Sequence, residues 1–203
     1  MLALALSAAS LAAAPAGAAG KTRASGAAAT SAAASLDPND LGREIAGLRK
    51  TLSAMEPKDP YIVVDTHRNT ISFRSGETIL HEALCSTGCD SLLKAPDGRV
   101  WLFATPTGTF RVKRKINNPT WVKPDWAFIE EGKRVPKKSD PDRFDDTAMG
   151  SYALDFGDGY YIHGTLYRRL LGENITHGCV RVADDDLAPI FEKAKVGTLV
   201  LIY

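Results

Sequence analysis

Beyond Pro60 the apolar residues of this chain arrive in short β-branched runs separated by turn residues, which restricts the fold to one built mainly of strands. Tyr61-Ile62-Val63-Val64 and Thr70-Ile71-Ser72-Phe73 flank Asp65 to Asn69 and predict a hairpin. A third strand is expected from Thr78 to Leu84 and a fourth from Thr109 to Val112. Ser151 to Phe156 and Tyr160 to Ile162 bracket Gly157-Asp158-Gly159, a second hairpin signal, and Thr198 to Tyr203 reads as a terminal strand. A helix is expected from Asp184 to about Lys195, capped by Asp184-Asp185-Asp186, with Pro189 in its first turn and Gly197 as its stop. The class is α+β: mainly β with short helices.

Residues 113–150 break the pattern. They are rich in Lys, Asp and Pro yet carry Trp121, Trp126 and Phe128. Such a segment is expected either as a lid over a site or as a loop pinned to the core by its rings. Upstream, Leu41, Ile45, Leu48, Leu52 and Met55 form a helical stripe within 37–56, with Asn39 or Asp40 as cap and Pro57 and Pro60 beyond its end. Two heptads do not make a coiled coil, so this helix reads as packed on the following domain or as a spacer, with weak dimerisation as the alternative.

Residues 1–35 are about half Ala and carry only Lys21 and Arg23 as charges. The apolar run Leu2 to Leu11, followed by small residues to Ala19, fits a signal peptide over 1–19, although no basic residue precedes the run. It falls short of the ~20 apolar residues of a membrane span. Residues 20–36 read as an Ala/Ser/Gly-rich flexible linker. The expectation is an exported protein of the periplasm or cell envelope, with no transmembrane span once mature.

Charge narrows the partners. With 25 Lys and Arg against 24 Asp and Glu the formal charge is +1, which argues against a nucleic-acid-binding face. Three cysteines in 203 residues are too few for a disulfide scaffold, and residues 60–203 suffice for one good-sized core.

The densest chemistry lies in Ile162-His163-Gly164-Thr165 and Ile175-Thr176-His177-Gly178-Cys179-Val180-Arg181. Cys179 is the candidate nucleophile; an unassisted thiol is only a few per cent thiolate at neutral pH, so it needs a base or a cation nearby. His163 follows a predicted strand that would aim its imidazole. In an extended segment His177, Cys179 and Arg181 share one face. Gly178 allows close approach to the sulfur, and its amide and that of Cys179 are candidate oxyanion donors. His163, His177 and Cys179 are also metal-ligand types, but the paired spacing of a zinc site is missing, so neither metal nor cofactor is expected. His67 and His81 read as structural.

His163-Gly164-Thr165 with Thr176-His177-Gly178-Cys179-Val180-Arg181 resembles the signature of the L,D-transpeptidase catalytic domain, the YkuD domain. Ser86-Thr87-Gly88, Thr105-Pro106-Thr107-Gly108-Thr109-Phe110, Met149-Gly150-Ser151-Tyr152-Ala153 and Val196-Gly197-Thr198-Leu199-Val200 extend the resemblance over roughly 60–203. Thr176 stands where Ser is commoner, and 113–150 has its own sequence.

The resemblance implies a β-sandwich catalytic domain preceded here by a short helix, and a cysteine acyltransferase acting on peptidoglycan stem peptides in wall biogenesis and cell shape. Cys179 would attack a tetrapeptide stem after its third residue and release D-alanine. An amine of a second stem would then take the acyl group, giving a 3-3 crosslink. His163 would be the base, with the Gly164 carbonyl orienting its ring. His177, Thr176 and Gly178 would line the pocket, and Tyr161, Trp121 and Trp126 would cover the donor. Arg181 would either grip a stem carboxylate or, the favoured reading, tie down a local carbonyl. Water as acceptor would give a carboxypeptidase, a protein lysine an anchoring enzyme, and a silent cleft a peptidoglycan-binding module. The base precedes the nucleophile, the reverse of the NlpC/P60 peptidases. In an oxidising compartment Cys85 and Cys89 are a candidate short-loop disulfide leaving Cys179 free; the alternative is two unpaired cysteines.

Overall fold

The computed structural model describes residues 37–203, so the expected signal peptide and the whole of the expected linker lie outside the described residues. In chain order the elements are α1 (Pro38–Met55), β1 (Tyr61–Asp65), β2 (Thr70–Ser75), β3 (Thr78–Gly88), β4 (Leu92–Lys94), β5 (Val100–Leu102), β6 (Gly108–Arg111) and β7 (Arg114–Asn117). There follow β8 (Trp121–Val122), α2 (Asp125–Glu130), β9 (Phe144–Asp145), β10 (Tyr152–Gly157), β11 (Tyr160–Thr165), β12 (Asn174–Thr176), β13 (Val180–Ala183), α3 (Asp184–Lys193) and β14 (Leu199–Ile202).

Helix α1 is where its stripe places it, but the cap is Asp37, whose Oδ1 accepts from Asn39 N–H at 2.8 Å. Leu48, Leu52 and Met55 stay largely exposed. No helix among the described residues is long and apolar enough to cross a membrane.

Within the unit Gly47–Tyr203, one hydrogen-bonded path runs β6-β14-β1-β2-β3-β13-β11-β10-β7, with β12 added beside β3. The β1–β14, β11–β13 and β12–β3 pairs are parallel and the others on the path are antiparallel. Strands β6 and β7 sit at opposite ends of this path, yet only Val112 and Lys113 separate them in sequence. The sheet must therefore curl until its ends meet. At the seam Val112 N–H donates to Thr198 O at 2.9 Å and Lys113 N–H to Asp155 O at 2.6 Å.

The core fills the curl. Ile62, Val64, Ile71 and Phe73 from one half meet Leu154, Phe156, Ile162, Val180 and Val182 from the other, with Leu187 and Ile190 of α3 beside them. These strand residues alternate in sequence, as a sheet with one face on the core requires. Both predicted hairpins form, β1–β2 and β10–β11.

Several expectations need correction. The third strand runs on to Gly88, where it pairs with β12 and β13. Residues 113–150 are not wholly irregular: β7 belongs to the main sheet, and β8, α2 and β9 follow. Their anchor is the buried guanidinium of Arg143, which donates to the carbonyls of Lys123, Pro136 and Lys137 and to Asp125. Helix α3 begins as expected, but Ala183 is its N-cap, no side chain caps it, and Pro189 lies in its interior.

Candidate active site

The site is built on the parallel pair β11–β13. Ile162 faces Val180, His163 faces Arg181 and Gly164 faces Val182. Since Ile162, Val180 and Val182 point into the core, alternation sends Tyr161, His163 and Arg181 to the opposite face, and Cys179 immediately before β13 continues that face. The motif therefore carries core residues and candidate site residues at alternate positions.

His163 is buried at 9% exposure. Its Nδ1 lies 2.9 Å from the Gly164 carbonyl oxygen, and since a carbonyl can only accept, Nδ1 carries the proton and Nε2 keeps its lone pair. Burial pulls the imidazole pKa down to about 4; the nearby Arg181 cation adds to that, while backbone hydrogen bonding to Gly164 and Met149 and the Asp184 carboxylate oppose it. Burial likewise pushes the Cys179 thiol up to about 11, partly offset by the Tyr161 backbone N–H. At rest both groups are neutral.

The loop that presents Cys179 is clamped from several sides. Thr176 Oγ1 donates to Cys179 O at 2.6 Å and accepts from Gly178 N–H at 3.2 Å. Thr105 Oγ1 donates to Gly178 O at 2.9 Å and accepts from Gly88 N–H at 2.8 Å, joining the loop to the end of β3. Cys89 N–H donates to Thr176 O at 2.9 Å. Gly178 has φ +121°, and a Cβ there would lie 2.6 Å from Tyr160 Cε1 and 2.9 Å from Ala104 O, so glycine is required on two counts. Because the Gly178 amide is spent on Thr176, it is not a free oxyanion donor, contrary to the sequence expectation.

His177 points away from the core. Its ring stacks on Trp126 at 4.3 Å between centroids and 18° between planes, meets the edge of Phe103 at 4.4 Å, and its Nε2 lies 2.7 Å from Glu130 Oε2. Trp121 packs against Trp126 at 5.9 Å. Both tryptophans of the 113–150 segment are thus gathered at the loop that presents Cys179. Phe103, Thr105 and Glu130 went unassigned in the sequence; Thr105 stood in a recognisable block, whereas Glu130 gave no signal.

Two further expectations change. Arg181 Nε is buried with no hydrogen-bond partner, so the favoured tie to a local carbonyl is not made there; its burial lowers the guanidinium pKa. Cys85, Cys89 and Cys179 are all free thiols. Cys85 lies fully buried in extended β3, and four extended residues span about 13 Å, beyond the roughly 7 Å reach of a disulfide. Cys89 Sγ instead sits 3.1 Å from Ser91 Oγ. Among the described residues no three His, Cys, Asp or Glu side chains are grouped to hold a metal ion.

Comparison with known proteins points one way. The family model of the L,D-transpeptidase catalytic domain, YkuD, matches residues 59–202. The chain is 33% identical over 144 residues to a protein of Escherichia coli (strain K12) named "Probable L,D-transpeptidase YbiS", covering 68% of this chain and 46% of that one. It is 30% identical over 146 residues to "Probable L,D-transpeptidase ErfK/SrfK" of Salmonella typhimurium, covering 70% and 46%. This chain thus matches about half the length of these two relatives. Among solved structures, an L,D-transpeptidase from Xylanimonas cellulosilytica (residues 123–326) shares the fold at TM-score 0.54 and 19% identity, over 82% of this chain and 70% of that one. One from Mycobacterium smegmatis does so at 0.51 and 22%, over 71% and 58%.

Proposed function

This chain belongs to the L,D-transpeptidase catalytic domain family, and from that premise we propose that it is an exported cysteine acyltransferase that crosslinks peptidoglycan stem peptides. The observation that carries the reading is the shared face of β11 and β13, which puts Cys179 on the same side as a His163 whose Nδ1 is held by Gly164.

His163 Nε2 takes the Cys179 proton as sulfur attacks the carbonyl carbon of the bond between the third and fourth stem residues. The tetrahedral oxyanion is met by the Cys179 amide, since Gly178 N–H is already engaged. Collapse breaks the C–N bond, His163 returns the proton to the departing D-alanine amine, and a thioester remains. The amine of a second stem attacks that thioester, passes its proton through His163 back to sulfur, and leaves as the crosslinked product. The resting pair is neutral thiol and neutral imidazole, so this is general-base catalysis at the moment of attack rather than reaction of a stored thiolate.

Arg181, with Nε buried and unpartnered on the same face, grips a carboxylate of the stem. His177, Trp126, Trp121 and Tyr161 form the wall against which the donor lies. Intact-protein mass spectrometry of the chain mixed with a disaccharide-tetrapeptide tests the first half-reaction. An adduct equal to the donor less alanine, absent in Cys179→Ala, supports the reading; unchanged mass with turnover persisting in Cys179→Ala would overturn it.

A further inference from the structure

Asp184 is the first residue of α3, yet its carboxylate does not cap that helix. Oδ2 instead accepts from Ser151 N–H at 3.0 Å and Ser151 Oγ at 2.7 Å, which ties α3 to the start of β10. Oδ1 is buried with no hydrogen-bond partner. It lies against the backbone of Gly164 and Gly150, so closely that a Cβ on either would overlap it. Gly164 is the residue whose carbonyl holds His163 Nδ1. A buried carboxylate oxygen left unpaired is costly, and folds keep such groups where a positive charge answers them.

The cation within reach through Gly164 is the one His163 becomes during reaction. Building on the reading of His163 as the base, we infer that Asp184 is a positioning residue for it. Its carboxylate packs Gly164 so that the carbonyl stays aimed at Nδ1, and balances the charge the imidazole gains on taking the Cys179 proton. The role resembles that of the acid in a Ser-His-Asp arrangement, displaced by one residue and acting through a backbone carbonyl. The groups facing His163 agree with it. Arg181 pairs with it on β13, Ala153 opposite it on β10 carries no charge, and among the described residues Asp184 is the one anion that raises its pKa. Of the other two acids of the triplet, Asp185 pairs with Arg168 and Asp186 lies 4.0 Å from His81 Nε2.

The test is the rate at which iodoacetamide alkylates Cys179 between pH 5 and 11, read on the Cys179 peptide by mass spectrometry in the full chain. The sulfur–carbon bond forms as iodide leaves, and the thiol proton goes to His163 at neutral pH or to hydroxide at high pH. Asp184→Asn is expected to lower the neutral plateau about 10-fold while leaving the alkaline limb in place or shifting it to lower pH, as loss of one nearby negative charge requires. Ser151→Ala, which keeps the charge and loses one tie, should change the plateau less than about 3-fold. Asp184→Ser repeats the measurement with a smaller uncharged side chain should the amide not fold. The inference is overturned by an Asp184→Asn profile superimposable on wild type, by equal losses at every pH in Asp184→Asn and Ser151→Ala, or by failure of both neutral variants to fold. Alkylation needs no stem peptide, so a wrong substrate assignment leaves this readout intact. A normal profile in an Asp184→Asn enzyme that still crosslinks stems would sink this inference alone.

Discussion

Glu130 and His177 stand 47 residues apart and meet at 2.7 Å, carboxylate oxygen to imidazole Nε2, while Trp126 one turn earlier on the same helix stacks flat on the His177 ring. A short helix of the 113–150 segment is thereby fastened to a residue two positions before the proposed nucleophile. The contact combines an exposed carboxylate–imidazole hydrogen bond with a stacked ring face, and the two parts differ in weight. Even a fully charged pair at the surface contributes only about 0–1 kcal/mol, whereas stacked aromatic pairs contribute about 0.5–1.5 kcal/mol beyond the area they bury.

Trp126→Ala is therefore expected to slow acylation of Cys179 by roughly 10-fold, because His177 loses the surface that fixes it. Glu130→Gln should change the rate by less than about 3-fold. Stopped time courses of adduct formation by intact mass compare the two directly. Equal effects, or a larger loss in Glu130→Gln, would reverse the assignment.

His163 makes stability depend on pH in a definite direction. Its folded pKa of about 4 lies below the ordinary 6.5, so between those values the unfolded chain binds the extra proton. Its contribution is present in full above about pH 6.5 and is lost as pH falls through 4, up to roughly 3 kcal/mol at the acid end. Melting temperatures of wild type and His163→Gln should converge as pH drops from 7.5 to 4.5. Parallel lines across that range would contradict the burial of a neutral imidazole.

Gly178→Ala should cost both fold and chemistry. The φ of +121° and the contacts with Tyr160 and the Ala104 carbonyl leave a methyl no room, so a loss of about 1–3 kcal/mol is expected. The loop that presents Cys179 must shift, and alkylation of that thiol should slow. Wild-type melting and reactivity in Gly178→Ala would show that the loop tolerates another path.

Thiol chemistry distinguishes the three cysteines. Denatured protein purified without reductant should titrate with three thiols, and reductant should leave the melting temperature unchanged. Cys85, whose thiol burial pushes up to about 12, should react only on unfolding. One titratable thiol instead of three would restore the bridge between Cys85 and Cys89.

The sequence announced those parts whose local chemistry and tertiary role agree. Ile62, Val64, Ile71 and Phe73 alternate and bury as strands must, and the Gly157-Asp158-Gly159 turn joins β10 to β11. The parts that stayed hidden owe their form to distant partners. Cys85-Ser86-Thr87-Gly88 is too small and polar to read as strand, yet it is a central strand because β12 and β13 flank it. Arg114-Lys115-Ile116-Asn117 hides as an edge strand does, behind its charges. At the site, the motif singled out Cys179, His163, Gly164 and Thr176 as candidates because they lie close along the chain. Glu130 and Phe103 reach His177 only through folding, and Asp184 read as a helix cap because its position, taken locally, is a capping position.

The most direct test of the account is mass spectrometry of the products formed when this chain and its Cys179→Ala variant are incubated with disaccharide-tetrapeptides. The account predicts a dimer lighter than two monomers by one alanine residue with its water, formed by the wild type and absent from the variant. Tripeptide monomers alone would contradict the proposed amine acceptor, and a dimer made equally well by Cys179→Ala would contradict the proposed nucleophile.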